Sequence, residues 1–414
     1  MALERPVESA VTRRQFGALA LGGVASLVIA GGRAAAAPES AQPAAAALRR
    51  APLSTPVVLA GLPRQSAEEA TEEAVRQAAL AATDFSWLSR GDTVVIKPVC
   101  NSGNAYPATT DPLALRAMIR LLREQGAGRI LVADMSGVQF VRFSPDALRG
   151  STRELMQSSG IARAVEDAGG EIHAFEEQGW DAFYEETPAS GQSWAGPIMM
   201  PALLEEVDHV ILMPRCARHL MAASTLGLKA AVGWWRHDTR LEYHRDADTM
   251  PEKTAEANTL PSMAEKQRLV LSSATRILTT FGPDQGYVVA PETGLVIASQ
   301  SVVAHDMVSL AWLIEGRRGT PLEKRDSAID DPHRSALVVN LANRMATHWL
   351  GGFRQALRAQ SPPLQDLETV WDDRVLRRAF EISGGVPRVD LVATGSGVPR
   401  SLREQLVAAL GLPA

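Results

Sequence analysis

Cysteine is scarce in this chain: Cys100 and Cys216 are the only two in 414 residues. That count excludes a disulfide framework, a zinc ribbon and a four-cysteine iron–sulfur site within the chain. No basic run lies outside the N-terminus, and the net charge is −5 with a pI near 6.0, so nucleic acid is not an expected partner. No G-x-G-x-x-G follows a strand-like run, which argues against a nicotinamide dinucleotide. A P-loop lysine and a G-x-S-x-G elbow are also missing, which removes two more common enzyme classes. The apolar run at residues 17–30 is about 15 residues, short of the ~20 that span a bilayer, so no stable membrane span is expected after processing.

What is present is an ordinary globular composition, 46% apolar and 21% charged, enough for a sizeable core. At the N-terminus, Arg13-Arg14 precede Phe16, the apolar run and the small-residue stretch 34–37. This order of basic, apolar and small-residue regions reads as a twin-arginine signal peptide over residues 1–37. It implies the twin-arginine export machinery as a partner and a periplasmic or otherwise exported location. Residues 38–54, rich in Ala and Pro and without periodicity, read as a linker.

Beyond it, strand-like and helix-like segments alternate. Residues 91–98 (GDTVVIKP) and 129–134 (RILVAD) are short runs apolar on both faces, as buried parallel strands are. Asp111-Pro112 opens a helix, with Asp as N-cap and Pro in the first turn. The expected fold is α/β: a mostly parallel sheet with helices on both faces over residues 55–316, and a mainly helical extension over 317–414 packing on the same domain. Residues 222–232 and 263–280 read as helices, and 237–251 as loop.

In such sheets ligands bind beyond the carboxyl ends of the strands. The polar residues there are Lys97, Cys100 and Asn101 after one strand, Asp134 and Ser136 after the next, and Cys216, Arg218 and His219 after the strand ending at residue 213. A charged residue closing an apolar strand needs a partner or a solvent cavity, so Lys97 and Asp134 are either catalytic or an ion pair with each other. Thr110 and Asp111 bind a ligand at a helix N-terminus or simply cap it. His219 and His244 are candidates for proton transfer or metal ligation. Lys229, amid Leu228, Ala230 and Ala231, is hard to explain as a solvated lysine; one straight helix through residues 219–229 would keep it from His219. Asp306 caps a helix or reaches the site. Trp234 and Trp235 form a pocket wall or core. Cys100 and Cys216 pair as a disulfide, join His219 and His244 in a soft transition-metal site, or stay free and buried.

Several of these pieces, in order, resemble the family called domain of unknown function 362. They are residues 91–98, Thr110-Asp111-Pro112, residues 121–137, Arg218-His219, Lys229 with Gly233, His244, residues 273–276, Gly282-Pro283 and residues 298–306. The resemblance implies an α/β domain, sometimes found beside iron–sulfur clusters. The chain departs from the family pattern at Val99, Arg218, Ala230 and Ser273, and lacks the cluster cysteines. The order His219, Lys229, His244 is also similar to that of nickel-pincer lactate racemases, where the imidazoles serve the metal and the lysine holds the cofactor. Together these features lead to two expectations. One is an exported enzyme acting on a small anionic or polar substrate, with a redox role through a bound metal as a variant. The other is a non-enzymatic periplasmic metal- or ligand-binding protein.

Overall fold

The computed structural model describes residues 50–411 apart from 365 and 396. The signal peptide and residues 38–49 of the linker lie outside the described residues. Eight strands form the main sheet. In chain order they are β1 (Arg50–Pro63), β2 (Thr93–Pro98), β3 (Arg129–Asp134), β4 (Glu171–Ala174), β5 (His209–Met213), β6 (Gln267–Ala274), β7 (Thr293–Ser299) and β8 (Val386–Thr394). Their spatial order is β8-β1-β7-β6-β5-β2-β3-β4. Only β7 runs antiparallel to its neighbours, β1 and β6; every other adjacent pair is parallel. The expected mostly parallel α/β sheet is therefore the observed one.

Both faces are covered, which is why the strands are continuously apolar. Val94 and Ile96 face one layer, with helices α1 (Glu68–Ala82) and α2 (Pro112–Glu124) packed over them. Val95 faces the other, with Leu131, Val210 and Trp234. The extension beyond residue 316 supplies the helix Ala336–Arg358 and also edge strand β8, which pairs with β1 as far back as Arg50. The last residues expected to be linker, 50–54, thus already belong to β1.

Three local expectations fail. Residues 263–280 are not a helix: a short helix Pro261–Lys266 gives way to β6, a central strand buried on both faces. Residues 237–251 are not loop; they begin with helix α3 (His237–Arg245). Residues 222–232 are not a helix either. A hairpin of Ala217–His219 with Ala223–Thr225 turns at Ala223, whose φ is +62°, and a 3-10 helix then runs over Leu228–Trp234.

Candidate functional site

The loops after β2, β3 and β5 meet at the carboxyl edge of the sheet. Lys97 and Asp134 end adjacent strands, and their side chains bind each other at 2.7 Å, both fully buried. The Asp134 carboxylate also accepts the backbone N–H of Cys100 and of Met135. Lys97 donates to the Pro98 carbonyl and sits 5.6 Å from the Trp234 ring centroid. Burial holds its pKa below the ordinary lysine value, and Asp134 opposes that shift. Gly233 closes over the pair: a Cβ there would lie 2.3 Å from Lys97 Nζ and 2.4 Å from Asp134 Oδ1. The two side chains thus form a sealed ion pair, the second of the two arrangements expected of them.

Above that base, the hairpin does what a straight helix cannot. It places His219 at a strand end and returns the chain through the 3-10 helix that carries Lys229. Asp306, near the start of helix α4 (Val302–Arg318), sets that turn. Its Oδ1 accepts Gly227 N–H at 2.8 Å and its Oδ2 accepts Leu228 N–H at 2.7 Å. Asp306 therefore shapes the Lys229 segment. With helix α3 supplying His244, the charge of Lys229 acts on both imidazoles, and His244 acts on His219. Lys229 and the His244 ring both stand 5.4 Å from the Tyr243 ring centroid.

Arg215 lies in the stretch 214–219 expected at the sheet edge, though nothing in the sequence singles it out there. Arg215 is 0% exposed, and Nε, Nη1 and Nη2 all lack a hydrogen-bond partner among the described residues. Burial lowers its pKa to about 10, with Asp284 as the strongest countering charge. Lys229 keeps some accessible surface, and its ammonium stands 5.4 Å from the Tyr243 ring centroid. Burial, then the charges of Arg240 and Arg215, lower its pKa to about 7. Arg240 is spent on structure: it donates to the carbonyls of Trp235, Ser136 and Met135. What remains is a buried concentration of positive charge with one guanidinium wholly unsatisfied.

Both histidines are neutral at pH 7. Burial, then Lys229, Arg215 and His244, hold His219 well below its ordinary value. Burial chiefly lowers His244 to about 4, with Lys229 and Arg240 adding to the effect and the Asn343 bond opposing it. Neither Nε2 has a hydrogen-bond partner among the described residues.

The other expected ligand-binding residues mostly serve the backbone. Thr110 ties β2 to β5, accepting Val99 N–H and donating to Met213 O. Asp111 caps α2 and accepts the Ser273 hydroxyl at 2.7 Å. Ser136 donates to Cys100 O. Asn101 is half-buried, and its carbonyl accepts Gly137 N–H. Arg218 is buried with Nε and Nη1 unpartnered, and the charges acting on it are Arg317, Asp331, Asp366 and Asp373. Trp234 and Trp235 are core, fully buried.

The metal expectation for Cys100, Cys216, His219 and His244 is corrected. The cysteines are free thiols in the hydrophobic layers on opposite faces of the sheet. Cys100 bonds Ser102 O and Cys216 bonds Ser309 O. Among the described residues, no three His, Cys, Asp or Glu side chains gather to hold an ion. The donor set does not fit a metal held by protein side chains.

The sequence model of the family described as "Domain of unknown function (DUF362)" matches residues 94–311. The chain belongs to this family. No curated protein matches the sequence. A solved structure it resembles is the lactate racemase apoprotein from Thermoanaerobacterium thermosaccharolyticum, at 12% identity and a TM-score of 0.41, covering 84% of this chain and 85% of that one.

The DUF362 segment contains Arg215, His219, Lys229, His244 and the Asp306 brace. Asn343, which binds His244, lies outside it. No helix among the described residues is long and apolar enough to cross a membrane.

Proposed function

We propose that this chain is an exported enzyme whose substrate is a small anion, carboxylate or phosphate, held between Arg215 and Lys229 with its proton chemistry handled by His219 and His244. The observation that carries the proposal is the unpartnered guanidinium. An ionised group taken out of water without a partner costs several kcal/mol, and such a cost persists where a ligand repays it. Arg presents a planar fork that matches a carboxylate or phosphate oxygen pair. Lys229 adds a second charge that neutral pH can switch, and the two imidazoles stand beside it uncharged, able to exchange protons.

Proton linkage tests this. An anion favours the charged form of Lys229, so binding raises a pKa that starts near 7. Below pH 7 the lysine is already protonated and binding takes up nothing. Above pH 7 each binding event takes up a proton, and affinity falls as pH rises, by up to about tenfold per unit. Titration calorimetry with malonate or inorganic phosphate, in buffers of different ionisation enthalpy, should show uptake at pH 8 that is absent in Lys229→Met. Binding that is indifferent to pH between 7 and 9 would sink the assignment of Lys229.

Export rests on the paired arginines before Phe16. Replacing Arg13 and Arg14 with Lys should leave the full chain in the cytoplasmic fraction, whereas the unaltered chain is recovered, shortened, outside it. Equal partitioning of the two would end that part of the proposal.

A further inference from the structure

His244 sits in α3, but its ring is held from helix α5 (Ala336–Arg358), 99 residues away in sequence. Asn343 Nδ2 donates to the carbonyls of His244, at 2.8 Å, and Gln360, at 3.0 Å. Flipping the amide would set its oxygen against two carbonyl oxygens, so the orientation is forced. Asn343 Oδ1 then faces His244 Nδ1 at 2.9 Å. An amide oxygen only accepts, so Nδ1 carries the hydrogen and the Nε2 lone pair is free. His219 is the reverse: its Nδ1 accepts the N–H groups of Met221 and Ala222, both at 3.2 Å, so its Nε2 carries the hydrogen.

We infer that Asn343 is a positioning residue that makes His244 Nε2 the proton acceptor of the site and leaves His219 Nε2–H as the hydrogen-bond donor. The structural helix beyond the DUF362 segment thereby completes the chemistry inside it. In the step this implies, a substrate X–H bond breaks, an H–Nε2 bond forms on His244, and the electron pair stays on the substrate. The resulting imidazolium is held by Asn343 Oδ1 through Nδ1–H. His219, being neutral, donates a hydrogen bond to the charge that develops on the substrate and keeps its proton. The backbone supports the fixed geometry: Gln360 N–H donates to Arg245 O at 2.8 Å, so α5 through Asn343 and the chain after it through Gln360 clasp two successive carbonyls of α3. A break at Gly352, φ +79°, lets the helix turn back, with Arg344 donating to Ala356 O.

The catalytic consequence rests on the proposed anion site; the tautomer does not. Long-range proton–nitrogen correlation spectra of the full chain read the tautomer directly. The expected result is a bare Nε2 on His244 and a bare Nδ1 on His219. Asn343→Leu should release His244 into a mixture of tautomers while His219 keeps its own. A hydrogen on Nε2 of wild-type His244 overturns the inference, whatever the variant does, as does a folded Asn343→Leu protein with unchanged spectra. Loss of malonate or phosphate binding with the tautomers as described would instead count against the anion site alone.

Discussion

Arg215→Met is expected to make the ligand-free protein more stable while erasing its affinity for anions. The two effects have one cause. Arg215 is fully buried, its three guanidinium nitrogens have no partner among the described residues, and burial has lowered its pKa to about 10. Replacing buried charge with a well-packed apolar side chain of similar length commonly stabilises by roughly 1–4 kcal/mol, even where the charge had a partner. Methionine fills the space and removes the unmet desolvation, so a gain in that range should appear in denaturant unfolding. Ligand-dependent stabilisation should move the other way. An anion at a hundred times its Kd stabilises the native state by about 2.7 kcal/mol, and that increment should vanish. Arg215→Lys keeps the charge but not the planar fork, so part of the increment should survive. A variant Arg215→Met that unfolds more readily than wild type would mean the guanidinium is already satisfied within the fold. The anion site would then lose its main support.

The fold was legible where local rules and tertiary context agree. Two-faced apolar runs gave β2 and β3, and Asp111-Pro112 gave the start of α2. Legibility failed in β6, because a strand buried on both faces has no period of two. With Lys266 and Arg268 at its edge, such a stretch can match helical spacing. It failed again at 222–232, where Ala and Leu favour a helix but Asp306, from a distant helix, fixes the backbone of Gly227 and Leu228. The site was half legible. His219, Lys229 and His244 stand out in the sequence, and the turn at Ala223 reverses the chain between the first two. Arg215 carried no signal, since an arginine after a proline is commonplace and only its missing partners distinguish it. Asn343 could not be found from sequence at all: its significance is a bond across 99 residues.

Lys97 and Asp134 show how structure divides charged residues that the sequence groups together. As a sealed pair they should behave as a structural unit. Lys97→Met leaves a carboxylate buried with two backbone N–H groups, and Asp134→Leu leaves a buried ammonium with one carbonyl. Removing one partner of a buried ion pair typically costs 3–5 kcal/mol, so each single variant should lose stability on that scale. The double variant should recover much of it, because no charge is then left alone, giving a coupling energy of at least about 2 kcal/mol. Gly233→Ala should harm the same pair from above, since its Cβ would fall 2.3 Å from Lys97 Nζ. Anion affinity discriminates between this role and direct participation. If the pair only braces the floor, the folded double variant keeps its malonate affinity within about threefold, well under the factor of ten that 1.4 kcal/mol represents. If Lys97 instead touches the substrate, Lys97→Met stays within ~0.5 kcal/mol of wild-type stability, as surface changes do, and loses binding. The arrangement favours the first outcome on electrostatic grounds. Asp134 lies against Lys97 and cancels its charge, whereas no acidic side chain lies within ion-pair distance of Arg215 or Lys229 among the described residues. A positive charge already neutralised at 2.7 Å offers an incoming anion little. The sheet edge therefore holds two kinds of cation among the described residues: a lysine paired with a carboxylate, and an arginine with no partner.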